Sequence, residues 1–347
     1  MQLNLPIVPI TDMVVKNKNL IAATQGRGVY ILDDLTVFHQ LTEEVMEKDL
    51  HLFAPIDAYR LGGFNGRLKP PKRAGQNHHN GVGFYFHLKD EPGQKDTVTL
   101  SVLDSTGDTI RTFSSMPNEK RDSLRVEKGS NVFLWDMYYP KAEGFPGMIL
   151  WAANLNGPRA VPGEYRAVLS NGRDKVEQAF NILADQRSTS SQADLQAQFN
   201  FVQKTNQKLS ETHKAIKEIR TVREQLKDLE KRIDSLEYPA IDQLIDHMRL
   251  SMKSIEEALY QTKNQSGQDP LNYPIRLNNK LAAVKSQASY GSFAPTDQAI
   301  AVADSITQQI DEQLTLWYTM KESDLRSLND LVRKAQIDLI AVPRDEE

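Results

Sequence analysis

The chain has 347 residues, 39% hydrophobic and 25% charged, with a net charge of -4 at neutral pH. That length holds two or three domains, each with its own core, and the small negative charge gives no general attraction to nucleic acid or to an anionic membrane. The absence of cysteine removes disulfides, thiolate metal sites and cysteine nucleophiles together, and no run approaches the roughly 18 apolar residues of a transmembrane segment.

Of the 18 glycines and 16 prolines, 27 fall within residues 1–187 and 7 beyond, so a turn-rich part precedes one that avoids turns. The start, MQLNLPIVPI, lacks the basic n-region and small-residue cleavage site of a signal peptide. If the parent protein is exported, its signal lies upstream of Met1.

Residues 11–35 read as three short strands, TDMVV, NLIAAT and GVYIL, joined by the hairpin-like connectors KNKN and QGRG. Three tight antiparallel strands make most of a propeller blade, and a single blade needs neighbours to cover its faces. In TQGRGVYILDDL, apolar residues occupy successive positions from Val29 to Leu32, as in a strand buried on both faces. Asp33 and Asp34 follow where that strand ends. A catalytic carboxylate pair flanks its substrate about 5–9.5 Å apart, whereas adjacent strand residues point to opposite faces. A turn and capping role is therefore predicted for both, and for Arg27 an exposed turn position or a partnership with one of those aspartates.

Residues 41–80 read as a connector, with LFAPIDAYR extended and a Gly/Pro/Lys/Arg-rich loop after it. His78 and His79, with His87 as a third ligand, invite a metal reading. Adjacent histidines rarely aim at one ion, and no carboxylate stands at a ligand spacing, so a polar turn opening a strand is the plainer expectation and no metal or cofactor is assigned.

From Gly81 to Arg187 the pattern is β. GVGFYFHLKD alternates, TVTLSVLDSTGDTIRTF is a hairpin, RVEKGSNVFLWDMYYP supplies another strand, and GEYRAVLSNGRDKVEQAFNILADQR is a second hairpin. Six or seven short strands predict an antiparallel immunoglobulin/fibronectin-like β-sandwich with Phe84, Phe86, Leu100, Val102, Phe133, Trp135, Tyr165, Val168 and Phe180 in its core. Trp151, Tyr138 and Tyr139 are the candidates for glycan contact. Packing under the Pro/Gly-rich loop that follows Tyr139 is the competing use of the same aromatics, and the burial of aromatics in small β cores favours it.

Beyond Arg187, STSSQADLQAQ opens a long amphipathic helix in which Val202, Leu209 and Ile216, then Ile219, Leu226 and Ile233, recur at seven, ending near Pro239. A second helix carries Ile241, Leu244, Ile245, Met248, Met252, Ile255 and Leu259; DPLNYPIRLNNKLAAVKSQAS restarts a third, and a fourth begins after Thr296 as N-cap. The short link SYGSFAP predicts antiparallel neighbours, hence an up-and-down helical bundle. The basic residues of the first helix interleave with acids and form a solvated face.

The phrase LPIVPITDMVVKNKNLIAATQGRGVYILDDL resembles the closing blade of bacterial BNR-repeat, sortilin-like (VPS10-type) β-propeller proteins, often labelled glycosyl hydrolases. FLWDMYYP and GPRAVPGEYRAVLSNG are similar to the β-sandwich that follows that propeller, and YGSFAPTDQ to the family's C-terminal helical region. The resemblance implies a partial last blade at 1–40, a connector at 41–80, a sandwich at 81–187 and a bundle at 188–347. It implies an exported accessory region whose partner is the upstream propeller of the same protein, with contacts to polysaccharide or protein besides and none to nucleic acid. No Asp-box repeat occurs, and no catalytic residue transfers. A parent glycoside hydrolase with its active site in the propeller, and a helical oligomerisation module, remain the alternatives.

Overall fold

The computed structural model describes residues 5–61, 80–93, 96–233 and 237–337. The fold is mixed β plus α, with a curled half-barrel sheet and a C-terminal helical region. Two compact units are present: residues 1–139 with 159–189, and residues 140–158 with 190–347.

The first unit opens with an antiparallel meander, β1 (Ile10–Lys16), β2 (Asn19–Thr24) and β3 (Gly28–Leu32). Asn17 and Lys18 both take positive φ, 51° and 63°, as a two-residue turn matching the strand twist requires. Paired residues in a sheet share a face, so the register puts Val14, Ile21 and Ile31 in one row and Ala23 with Val29 in the next. This differs from the expectation of burial on both faces: Val14, Val29 and Ile31 are 52%, 62% and 57% exposed. The physical reason is that, among the described residues, no second layer covers these side chains.

The segment predicted to be a plain connector is partly regular. A short helix, α1 (Thr36–Gln40), precedes it, and it contains a second, α2 (Glu43–Glu47), and two strands, β4 (Leu50–Leu52) and β5 (Ala58–Arg60). The Gln40 amide donates to the Ala54 carbonyl and accepts from its N–H, acting as a one-residue strand. Six further strands follow: β6 (Val82–Leu88), β7 (Thr99–Leu103), β8 (Thr109–Ser114), β9 (Gly129–Trp135), β10 (Gly163–Ser170) and β11 (Lys175–Ala184). They form a five-stranded sheet, β5-β11-β10-β7-β8, and a three-stranded sheet, β4-β6-β9; only β5 pairs in parallel.

One apolar cluster serves both sheets and includes Phe84, Phe86, Leu100, Val102, Trp135, Tyr165 and Phe180. Phe133 is only partly buried against it, and Val168 is buried outside it. Gly81 is required where β6 begins, because a Cβ there would stand 2.4 Å from the Trp135 carbonyl oxygen.

The second unit is helical: α3 (Gln192–Glu230), α4 (Pro239–Leu259), α5 (Leu277–Ala288), α6 (Asp297–Glu322) and α7 (Asp324–Lys334). Ser191 and Asp194 cap α3 reciprocally, and the Thr296 hydroxyl accepts from the Ala299 N–H. Pro239 occupies the first turn of α4, where its missing N–H costs nothing. Leu209, Ile216, Ile219 and Leu226 of the heptad face lie in the same core as Ile245, Met248, Leu281, Ile310 and Trp317. Residues 140–158, predicted within the β region, belong to this helical unit. The segment has no strand periodicity of its own, and its backbone groups are bonded to helix side chains.

Candidate functional site

The chain leaves the first unit after Tyr139 and re-enters it at Arg159. An isolated antiparallel bridge, Tyr138 to Arg159, closes the neck of this excursion, and the Ala160 N–H donates to the Met137 carbonyl at 2.7 Å. Two guanidiniums share the neck: Arg60 Nε donates to the Ala160 carbonyl at 3.1 Å, and Arg159 donates to the Leu61 carbonyl at 2.8 Å and to Asn80 Oδ1 at 2.9 Å. Burial, then the neighbouring Arg159, lowers Arg60 to about 10.

Tyr139 packs against the β core, and burial raises its hydroxyl above the ordinary range. Burial likewise pushes Tyr165 up to about 12 while its hydroxyl donates to the Val161 carbonyl. Tyr138 is 38% exposed. Trp151 lies in the second unit and is half-buried. The three candidate glycan contacts are thus divided between the two units.

The excursion forms the most organised polar site in the molecule. Ala142 and Phe145 are buried in the helical core, with Met148, Leu150, Ala153 and Leu155 packed partly against it. The Phe145 ring meets Tyr260 edge-on at 4.9 Å, and the Arg220 guanidinium lies 4.6 Å above it.

The looped backbone bonds mainly to side chains. Glu143 N–H donates to Ser210 Oγ, Ile149 N–H to Tyr260 Oη and Asn154 N–H to Ser286 Oγ, at 3.0, 3.1 and 3.2 Å. Asn279 grips Trp151 twice, accepting from its N–H at 2.6 Å and donating to its carbonyl at 2.9 Å. The Asn156 carbonyl accepts from Asn206 Nδ2 at 3.0 Å and from Lys285 Nζ at 2.8 Å. A buried peptide group left unbonded costs about 1–3 kcal/mol, so these side chains are what make a non-helical loop tolerable among helices.

Two buried titratable groups belong to the site. His213 Nδ1 stands 2.5 Å from the Glu143 carbonyl, which only accepts, so this nitrogen carries the proton and Nε2 accepts from Asn278 Nδ2 at 3.2 Å. Burial, the largest influence, lowers the His213 pKa. Lys285 is fully buried, and desolvation brings it down to about 8. Its acceptors are the backbone carbonyl of Asn156 and, at 3.5 Å, the side-chain Oδ1 of Asn154; no carboxylate among the described residues is bonded to it. The arrangement is a set of side chains hydrogen-bonded to the backbone of residues 143–156.

Sequence reasoning passed over these residues. Asn278–Asn279 and Lys285–Ser286 look like solvated polar doublets, yet they recur at seven on the same helix as Leu281 and Ala282, which marks them as one buried face.

The other sequence candidates are turn or packing residues. The Asp34 carboxylate accepts from the Thr36 N–H and its own N–H donates to Asn19 Oδ1, a turn role; Arg27 is exposed in the β2–β3 turn. His87 is buried on β6 opposite His51 of β4, and burial lowers the His51 pKa, followed by Lys48 and His87. The metal reading of His78 and His79 lies outside the described residues. Among the described residues, no group of three or more histidines or carboxylates is placed to hold a metal ion, and no helix is long and apolar enough to cross a membrane. Neither the protein-family models nor the curated proteins include a match to this chain.

Proposed function

We propose that the chain is a non-catalytic accessory region of an exported multi-domain β-propeller protein: a residual blade, an antiparallel immunoglobulin/fibronectin-like β-sandwich and an up-and-down helical bundle. Its role is to pack on the propeller and to contact a protein or glycan partner. The observation that carries this reading is the β1–β3 meander, whose face bearing Val14, Val29 and Ile31 is bare while the strand order leaves β1 and β3 as edges. Uncovered apolar sheet faces and open edges invite association with further β structure. The helical heptads give no support to an oligomerisation module, since their apolar positions are spent in the chain's own core.

Sedimentation of the full chain tests the reading. Wild type is expected to self-associate with rising concentration, and a Val14→Thr, Val29→Thr, Ile31→Thr variant to stay at the 39.3 kDa monomer mass. A wild type that remains monomeric at every concentration, with no more anilinonaphthalene-sulfonate binding than the variant, would sink it. For the glycan contact, Tyr138 is the exposed candidate, and Tyr138→Ala is expected to abolish retardation in polysaccharide affinity gels while leaving the fold intact.

A further inference from the structure

We infer that the groove between α3 and α5 is a peptide-binding site that recognises a looped chain through its backbone, and that residues 142–156 are its ligand, held in cis. Three observations converge on this. First, the bonds that hold the segment reach backbone atoms of Glu143, Ile149, Trp151, Asn154 and Asn156 from side chains of α3, α5 and Tyr260. Such bonds are blind to the ligand's own side chains, so main-chain bonds give affinity and a few pockets give specificity.

Second, the groove side chains are built in. Asn206, His213, Asn279, Lys285 and Ser286 are each at most 6% exposed. Without a backbone ligand Asn206, Asn279 and Lys285 would lose the bonds they make to the segment, while His213 and Ser286 would keep only those to Asn278 and the Ala282 carbonyl. Third, the ligand makes few bonds of its own, chiefly Ala142 N–H to the Leu155 carbonyl and Met148 N–H to that of Phe145. It departs from and returns to a closed neck at Tyr138 and Arg159. The specificity pocket is the one filled by Phe145, lined by His213, Arg220 and Tyr260. The ligand class is therefore a looped peptide, turned at Gly147 and closed by the Ala142–Leu155 bond, with an aromatic anchor, a small residue three positions before it, and free N–H groups at the positions of Ile149, Trp151 and Asn154.

The test uses the full chain with protease recognition sequences placed after Tyr139 and before Arg159. After double cleavage, the freed segment is expected to co-elute with the folded remainder, and an excess of fluorescent 140–158 peptide to replace it saturably at one per chain. Two peptide variants separate backbone recognition from side-chain packing. N-methylation at Trp151 removes the hydrogen that Asn279 accepts and should weaken binding at least tenfold; Trp151→Ala should change it less than threefold. Release of the segment with the helices still folded, failure of the labelled peptide to enter, or the reverse ranking of the two variants would overturn the inference.

Discussion

Lys285 shows how one residue's environment sets a measurable trend. Its folded pKa of about 8 lies below the ordinary 10.5, so between these values the unfolded chain holds more protons and stability rises with pH. The shift corresponds to roughly 3 kcal/mol held against the folded state at neutral pH. Lys285→Met keeps the volume and removes the charge, and the Asn156 carbonyl still has Asn206. Urea unfolding of this variant is expected to give equal or greater stability at pH 7, by about 1–3 kcal/mol, and no rise between pH 8 and 10.5. A loss above about 2 kcal/mol would mean that the amine's bonds outweigh its desolvation. His213 works in the other range. Burial depresses it from 6.5, so the unfolded chain takes up protons first and stability falls as pH drops below about 6.5; His51, also depressed by burial, adds to the same slope. His213→Gln should therefore make the loss of stability between pH 7 and 5 shallower, while costing about 1–3 kcal/mol at pH 7. None of this was legible residue by residue, because a buried lysine and a solvated one look alike in a polar helix. Only the recurrence at seven with Leu281 and Ala282 gives the face away.

At the scale of elements, local chemistry was a good guide wherever the chain satisfies itself. The runs TDMVV, NLIAAT and GVYIL fall inside β1, β2 and β3, and the alternation of GVGFYFHL and the SNGR turn place β6 and the β10–β11 hairpin. Misses occurred where no periodic signal exists. The helices α1 and α2 are single turns, and α7 follows α6 after Ser323 alone, with no proline or glycine to announce the break. Pro239 read as a stop but opens α4. The short helices also refine where the meander ends. Gln40 bonds the backbone of Ala54, and Lys89 bonds the Glu47 carboxylate, so residues beyond 35 are tied to the sheets. Deletion of residues 1–35 is expected to leave the thermal unfolding midpoint of the rest within a few degrees and to raise solubility; deletion through residue 48 should lower the midpoint, as circular dichroism would record.

For the whole molecule, composition revealed the change from turn-rich to helical chain but could not reveal that residues 140–158 fold with the helices. That assignment rests on side-chain bonds spanning more than a hundred positions, such as Asn279 to Trp151 and Ser286 to Asn154, which no local pattern encodes. A fragment starting at 188 lacks Ala142 and Phe145 and leaves the groove unfilled, so it should show reduced helicity and a broadened melt beside the full chain. The account as a whole turns on the β1–β3 meander being a piece of a larger β assembly. Amide hydrogen exchange on the full chain alone addresses this most directly. The account expects the amides of Ile10–Lys16 and Gly28–Leu32 to exchange orders of magnitude faster than those of β6 and β10, which are covered by a shared core. Protection of the meander equal to that of β6 and β10 would contradict it, because such a sheet would be complete without any neighbour.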